Sequence, residues 1–123
     1  MRMNMKKVLW ISRHAMTKEQ IEDLKRIYGA EIEINQIDKS ISKISEIEVQ
    51  IKEADIICAV LPIELLQSLL NIADNRPVLV GKNERVATGK MTQMSDGKLE
   101  KEYVFKHGGW KQMISIKIET KDL

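Results

Sequence analysis

The chain holds a single cysteine, Cys58, set inside an apolar run. No disulfide framework can form within it, which fits a reducing compartment. Histidine is nearly as scarce, and His14 and His107 stand too far apart in sequence to suggest a transition-metal site. No apolar run approaches the roughly 20 residues needed to cross a bilayer. The opening MRMNMKK is basic, but the Val8-Leu9-Trp10-Ile11 run behind it is too short for a signal-peptide core, so a cytoplasmic location is expected. Neither a G-x-G-x-x-G element after the first apolar run nor a Walker A sequence is present, which argues against dinucleotide binding and P-loop chemistry. Charge is nearly balanced, 20 basic against 18 acidic residues for a net +2. A binder of long nucleic acid carries a clear basic excess, so any recognition of anions has to be local.

What is present is a globular composition, 43% hydrophobic and 31% charged over 123 residues, enough for one domain with its own core. Residues 1–123 show no repeat, linker or low-complexity stretch. Through residues 6–83 strands and helices alternate. Val8–Ile11 predicts a strand buried on both faces. Thr17 and Gln20 make a capping box for a helix that carries Ile21, Leu24, Ile27 and Tyr28 on one stripe and stops at Gly29. Glu31–Asn35 alternates strictly, as an edge strand does. Ile41, Ile44, Ile47, Ile51 and Ala54 repeat at helical spacing. Ile56–Leu61 belongs at the sheet centre. Pro62 starts a further helix with Ile63, Leu66, Leu69, Leu70 and Ala73 inward, and Pro77–Val80 is a fourth strand, ended by Gly81-Lys82-Asn83. This β-α-β-α-β-α-β order predicts a mostly parallel, Rossmann-like sheet. Residues 84–123 change rhythm and predict an antiparallel β-meander. Val86–Met94 and Leu99–Phe105 join at an Asp96-Gly97 hairpin, His107-Gly108-Gly109 forms another turn, and Met113–Thr120 adds a strand with Ile114, Ile116 and Ile118 on one side.

Ligands of open parallel sheets bind beyond the carboxyl ends of the strands. That rule selects Ser12, Arg13, His14 and Thr17 after the first strand. It selects Asp38, Lys39 and Ser40 after the second, Glu64 beyond the third, and Lys82, Asn83, Glu84 and Arg85 after the fourth. The acidic members form no ligand set, and no metal or other cofactor is expected. A buried Cys58 is a poor nucleophile. The i, i+2 spacing of Ser12 and His14, without a glycine elbow, argues against acyl transfer. Phosphate suits the remainder: a guanidinium fork at Arg13, hydroxyls at Ser12 and Thr17, and an imidazole at His14 able to move a proton near neutral pH. Plainer roles stand beside these, namely Thr17 as a helix cap, Arg13 as partner of a surface carboxylate, His14 as a polar loop residue, and Lys39 and Lys82 as solvated charges. Lys106, His107 and Trp110 fit a decorated turn, a lid or a subunit contact equally well.

The stretch Ile11-Ser12-Arg13-His14-Ala15-Met16-Thr17-Lys18-Glu19-Gln20, followed by Leu61-Pro62-Ile63-Glu64-Leu65-Leu66, resembles small single-domain CRISPR-associated proteins of the ring-nuclease type. Their pattern has a first strand ending in Ser-(x)-His, a Thr-x-Glu-Gln helix start and a Leu-Pro-x-Glu-Leu segment. Arg13 is inserted relative to the commoner Ser-His form. The resemblance implies a homodimer that binds cyclic oligoadenylate, the second messenger of type III CRISPR defence, and linearises it without a metal. The substrate's own 2′-hydroxyl attacks the adjacent phosphate and leaves a 2′,3′-cyclic phosphate. On that pattern Arg13, His14 and Ser12 are catalytic, and Thr17, Lys39, Ser40, Lys82, Asn83 and Arg85 contact the ligand. Two other classes of function stay open: a nucleotide sensor or sponge that binds without cutting, and a dimeric interaction module built on the C-terminal region.

Overall fold

A computed structural model describes residues 5–29 and 31–123; the basic Met1–Asn4 opening lies outside the described residues. Five strands form one sheet in the order β2-β1-β3-β4-β5. Strand β1 (Met5–Ile11) pairs in parallel with β2 (Glu31–Ile37) on one side and β3 (Ile56–Ala59) on the other, and β3 pairs in parallel with β4 (Val78–Gln93). Only β5 (Leu99–Gln112) runs antiparallel to its neighbour β4. Val8 through Ile11 are buried because β1 has neighbours at both edges and helices over both faces. The edge strand β2 keeps the alternating exposure of its sequence.

Helix α1 (Lys18–Tyr28) is bounded as its sequence demands. The Thr17 hydroxyl accepts from the Gln20 amide at 3.2 Å, the Gln20 carboxamide oxygen accepts from the Thr17 amide at 2.9 Å, and Gly29 closes the helix at φ 60°. Its Leu24 packs onto a face built from Val8, Trp10, Ile56, Cys58 and Leu79. The opposite face carries the larger core. There Leu9, Ile11 and Ile57 meet Ile44 and Ile47 of a short 3₁₀ turn, Ile51 of α2 (Glu48–Glu53), and Leu66 and Leu69 of α3 (Ile63–Ile72). The chain steps outward from β1 to β2, then back past β1 to β3. With right-handed crossovers that reversal sends α1 to one face and α2 and α3 to the other, leaving a crevice beyond the carboxyl ends of β1 and β3.

The C-terminal region departs from the expected meander. Strand β4 does not end at Gly81-Lys82-Asn83 but runs through them to Gln93, so antiparallel pairing begins at Leu79 opposite Gln112, not at residue 84. Nor do His107-Gly108-Gly109 form a turn. They lie within β5, where a register shift opposite Lys82 and Asn83 absorbs Gly108 as a bulge and Gly109 takes φ 120°. The Asp96-Gly97 hairpin forms as expected, with Gly97 at φ 84°. Residues 113–123 make no strand: the Met113 amide donates to Val78 O at 2.8 Å, Ile116 packs on the core, and Ile114 and Ile118 face solvent. Among the described residues no helix is long and apolar enough to cross a membrane.

Candidate functional site

The loop after β1 is pinned from three directions. Trp10 Nε1 donates to the His14 carbonyl at 2.7 Å, and Gln36 Nε2 on β2 donates to both the Ser12 carbonyl (2.8 Å) and the His14 carbonyl (3.0 Å). The buried Ser12 side chain accepts from the His14 amide at 3.2 Å, and its own amide donates to Ile37 O at 3.1 Å. Three loop residues thereby hold one shape, with the Arg13 side chain left exposed between fixed neighbours.

The loop after β2 is fixed by a carboxylate. Glu46 Oε2 accepts from the amides of Ser42 (2.8 Å) and Lys43 (2.7 Å) and from the Ser42 hydroxyl (3.1 Å). Those amide bonds, with the Lys39 charge nearby, hold the Glu46 carboxyl below the usual carboxylate range. Beyond β3, α3 opens at Pro62, which supplies no side-chain cap, so the first amides of that helix keep their donors free at the sheet's carboxyl edge.

These three segments enclose a cavity of about 220 Å³, lined on its polar side by Ser12, Arg13, Lys39 and Ser40 and on its apolar side by Val60, Pro62 and their neighbours. No carboxylate lines it. Among the described residues neither Arg13 nor Lys39 is in a salt bridge. Two cations, two hydroxyls and an uncapped helix start make this an electropositive concavity suited to a phosphate-sized anion.

The other sequence-selected residues go elsewhere. The His14 backbone helps hold the loop, but His14 is not part of the cavity lining and its side chain is exposed. Thr17 is occupied with capping α1. Lys82 and Arg85 stand on β4, which runs on as strand in place of the expected loop, with Lys82 at the root of the hairpin opposite Gly109. Arg85 lies over the Tyr103 ring at 4.1 Å from its centroid. Asn83, also on β4, lines a second cavity of about 350 Å³ that shares Val60 and Leu61 with the first. Pro62 has no side-chain acceptor with which to cap α3, so that helix start keeps the free amides on which the carboxyl-edge rule depends.

A wider, more open concavity of about 560 Å³ has the opposite sign. Glu19, Glu22, Asp23 and Glu84 line it together with Arg26 and His107. Asp23 accepts from His107 Nε2 at 3.0 Å and from Arg26 at 2.7 Å, and the His107 hydrogen bond, before the Arg26 contacts, lowers its pKa. Among the described residues no three His, Cys, Asp or Glu side chains are grouped to hold a metal ion. Cys58 is buried in β3, and desolvation pushes its thiol up to about 12, so it is no nucleophile. Compared with protein-family models, curated proteins and solved structures, the chain matches none.

Proposed function

We propose that the Ser12–Arg13–Lys39–Ser40 cavity holds a phosphodiester of cyclic oligoadenylate, and that the protein is a metal-independent ring nuclease on a Rossmann-like fold working in the cytoplasm. The observation that carries the reading is the convergence, at the carboxyl edge of β1, β2 and β3, of two cations in no salt bridge among the described residues and two hydroxyls around one small cavity with no carboxylate in its lining. The 2-1-3-4 order of the parallel strands supports the fold assignment, because its reversal point opens at that edge.

In the proposed reaction the substrate's 2′-oxygen attacks the neighbouring phosphorus as its proton passes to water. The P–O5′ bond breaks, and the 5′-oxygen takes up a proton. The products are a 2′,3′-cyclic phosphate and a 5′-hydroxyl. With the nucleophile already on the substrate, the protein supplies in-line geometry and charge neutralisation. Arg13 and Lys39 balance the charge gathering on the phosphate, and Ser12 and Ser40 hold its oxygens. His14, next in the pinned loop, would have to turn its exposed side chain inward to give the 5′-oxygen its proton. A ring with two-fold symmetry suits an isologous homodimer. The β4–β5 hairpin beyond the sheet, with Leu99 63% and Phe105 73% exposed, is the apolar surface a second copy would cover.

The test is single-turnover cleavage of cyclic oligoadenylates in EDTA. Arg13→Ala and Lys39→Ala should each slow the step about 10²–10³-fold, the usual effect of removing one positioned donor. Unchanged rates in both would sink the proposal. A second reading, a sponge that binds without cutting, is favoured by one observation, the His14 side chain lying outside the cavity lining. Stoichiometric binding by calorimetry with intact ring on a denaturing gel selects it.

A further inference from the structure

The second cavity beyond the sheet edge is unlike the first. It is larger, about 350 Å³ against 220 Å³, and carries no charged side chain in its lining. Its walls are mainly Val60, Leu61 and Met113, and its polar groups are the carboxamides of Gln20 and Asn83. The two cavities share Val60 and Leu61. Val60, although apolar, is 64% exposed at that junction.

The carboxamides are arranged for a ligand with both donors and acceptors. The Gln20 oxygen is spent on the Thr17 amide, at 2.9 Å, which fixes the group and turns Nε2 into the free end. That nitrogen and the Trp110 ring stand 3.6 and 3.8 Å from where a Cβ on Gly81 would lie, so the bare backbone at Gly81, itself part of the lining, lets the carboxamide lie close against the strand. Asn83, two residues along β4 from Gly81, offers a donor and an acceptor on one planar group. Carboxamides are the side chains that read base edges in pairs, and a neutral apolar slot of this size takes a flat heterocycle better than a second phosphate.

We infer that this cavity is the nucleobase subsite of the ligand whose phosphate lies between Arg13 and Lys39. The inference rests on the phosphate reading of the first cavity and adds base recognition to it. Gln20 and Asn83 read the edge of the base, Val60 and Leu61 lie against its face, and Gly81 gives the Gln20 carboxamide its place beside the strand.

Calorimetry with ribose 5-phosphate and with the 5′-monophosphates of adenosine, guanosine and uridine separates the two ideas. At least one nucleotide should bind the wild-type protein about tenfold more tightly than ribose 5-phosphate, as one good carboxamide–base pairing provides. Gly81→Leu should erase that advantage and leave ribose 5-phosphate affinity unchanged, and Asn83→Ala should flatten the ranking of the three bases. Arg13→Ala should weaken all four ligands together. If all four bind the wild-type protein within twofold of one another, or if the advantage survives both Gly81→Leu and Asn83→Ala, the subsite is disproved while the phosphate site stands. If none binds, the phosphate reading falls and carries the subsite with it.

Discussion

His107 Nε2 on β5 lies 3.0 Å from Asp23 Oδ2 on α1, a contact that joins residues 84 apart in sequence and ties the root of the hairpin to the first helix. Trp110 reinforces the tie: its indole N–H donates to Gln20 O at 3.1 Å, and its ring meets Trp10 edge-on at 6.0 Å between centroids. The His107 and Asp23 side chains are only 8% and 16% exposed, although both line the wide acidic concavity and so stay within reach of water.

The sign of its pH dependence follows from Asp23. Its pKa is lowered in the folded protein, chiefly by the His107 hydrogen bond, so its contribution is complete above the ordinary aspartate range and is lost as pH falls through the depressed folded value. Asp23→Asn should therefore lower Tm at neutral pH by roughly 3–6 °C, the effect of losing about 1 kcal/mol in a domain of this size. Thermal melts of both proteins from neutral to strongly acid pH should converge at the acid end. A constant difference across the range would mean that the carboxylate charge is irrelevant.

Gln36 should matter more for binding than for stability. It sits on the edge strand and makes two hydrogen bonds, both to carbonyls of the loop that presents Arg13. Gln36→Ala should cost less than about 1.5 kcal/mol in urea unfolding. Phosphate-ligand affinity should nonetheless fall about tenfold, because the loop then has to be ordered on binding. Equal affinity in the variant would show that the loop needs no support from β2.

Residues 6–80 were readable because burial there is periodic. The Thr17–Gln20 capping box, the Gly29 stop and the apolar run of β3 each serve one local geometry, and each appears where its residues predict. Past Gly81 that signal disappears. The hairpin is exposed on both faces, so no face is marked by hydrophobicity, and Gly108-Gly109 reads as a turn although it forms a bulge. The isoleucines at 114, 116 and 118 alternate like a strand, yet Ile116 alone packs on the core. The site divides in the same way. Ser12, Arg13, Lys39 and Ser40 follow from the carboxyl-edge rule, whereas Lys82 and Arg85 were assigned to a loop that pairing with β5 replaces by strand.

The bulge makes a sharp prediction at Gly109. Its φ of 120° lies where a side chain is strained whatever the space around it. Gly109→Ala should destabilise the protein by about 1–3 kcal/mol. Gly108→Ala meets a different obstacle, since its Cβ would stand 2.6 Å from Glu84 Cγ. Glu84 is exposed and flexible, so the double variant Gly108→Ala/Glu84→Ala should recover most of the loss, and urea midpoints for the set of variants measure both effects. No recovery in the double variant would mean that the backbone, not Glu84, sets the cost.

Cys58 should be silent toward thiol reagents while the protein is folded. It is buried between β1 and β4, and with the thiol pushed up to about 12 the thiolate fraction at neutral pH is negligible. Labelling in buffer should proceed no faster than global unfolding, and labelling in guanidinium should be immediate. Fast labelling of the native protein would show that β3 is not the sheet's closed centre.

The hairpin tip should govern self-association. A two-stranded ribbon on its own is marginal in water, yet this one continues to Gln93 and Leu99 with Met91 54%, Leu99 63% and Phe105 73% exposed. Those side chains lie beyond the described core clusters, so replacing them leaves the body's packing intact. In sedimentation equilibrium the wild-type protein should be a dimer at micromolar concentration. Leu99→Asp/Phe105→Asp should be a monomer with nearly unchanged α/β circular dichroism, because charges placed in the shared apolar face have to be desolvated for the subunits to meet. If the double variant still dimerises, the ribbon is not the interface, and the exposed residues of α3 such as Ile63 become the next surface to alter.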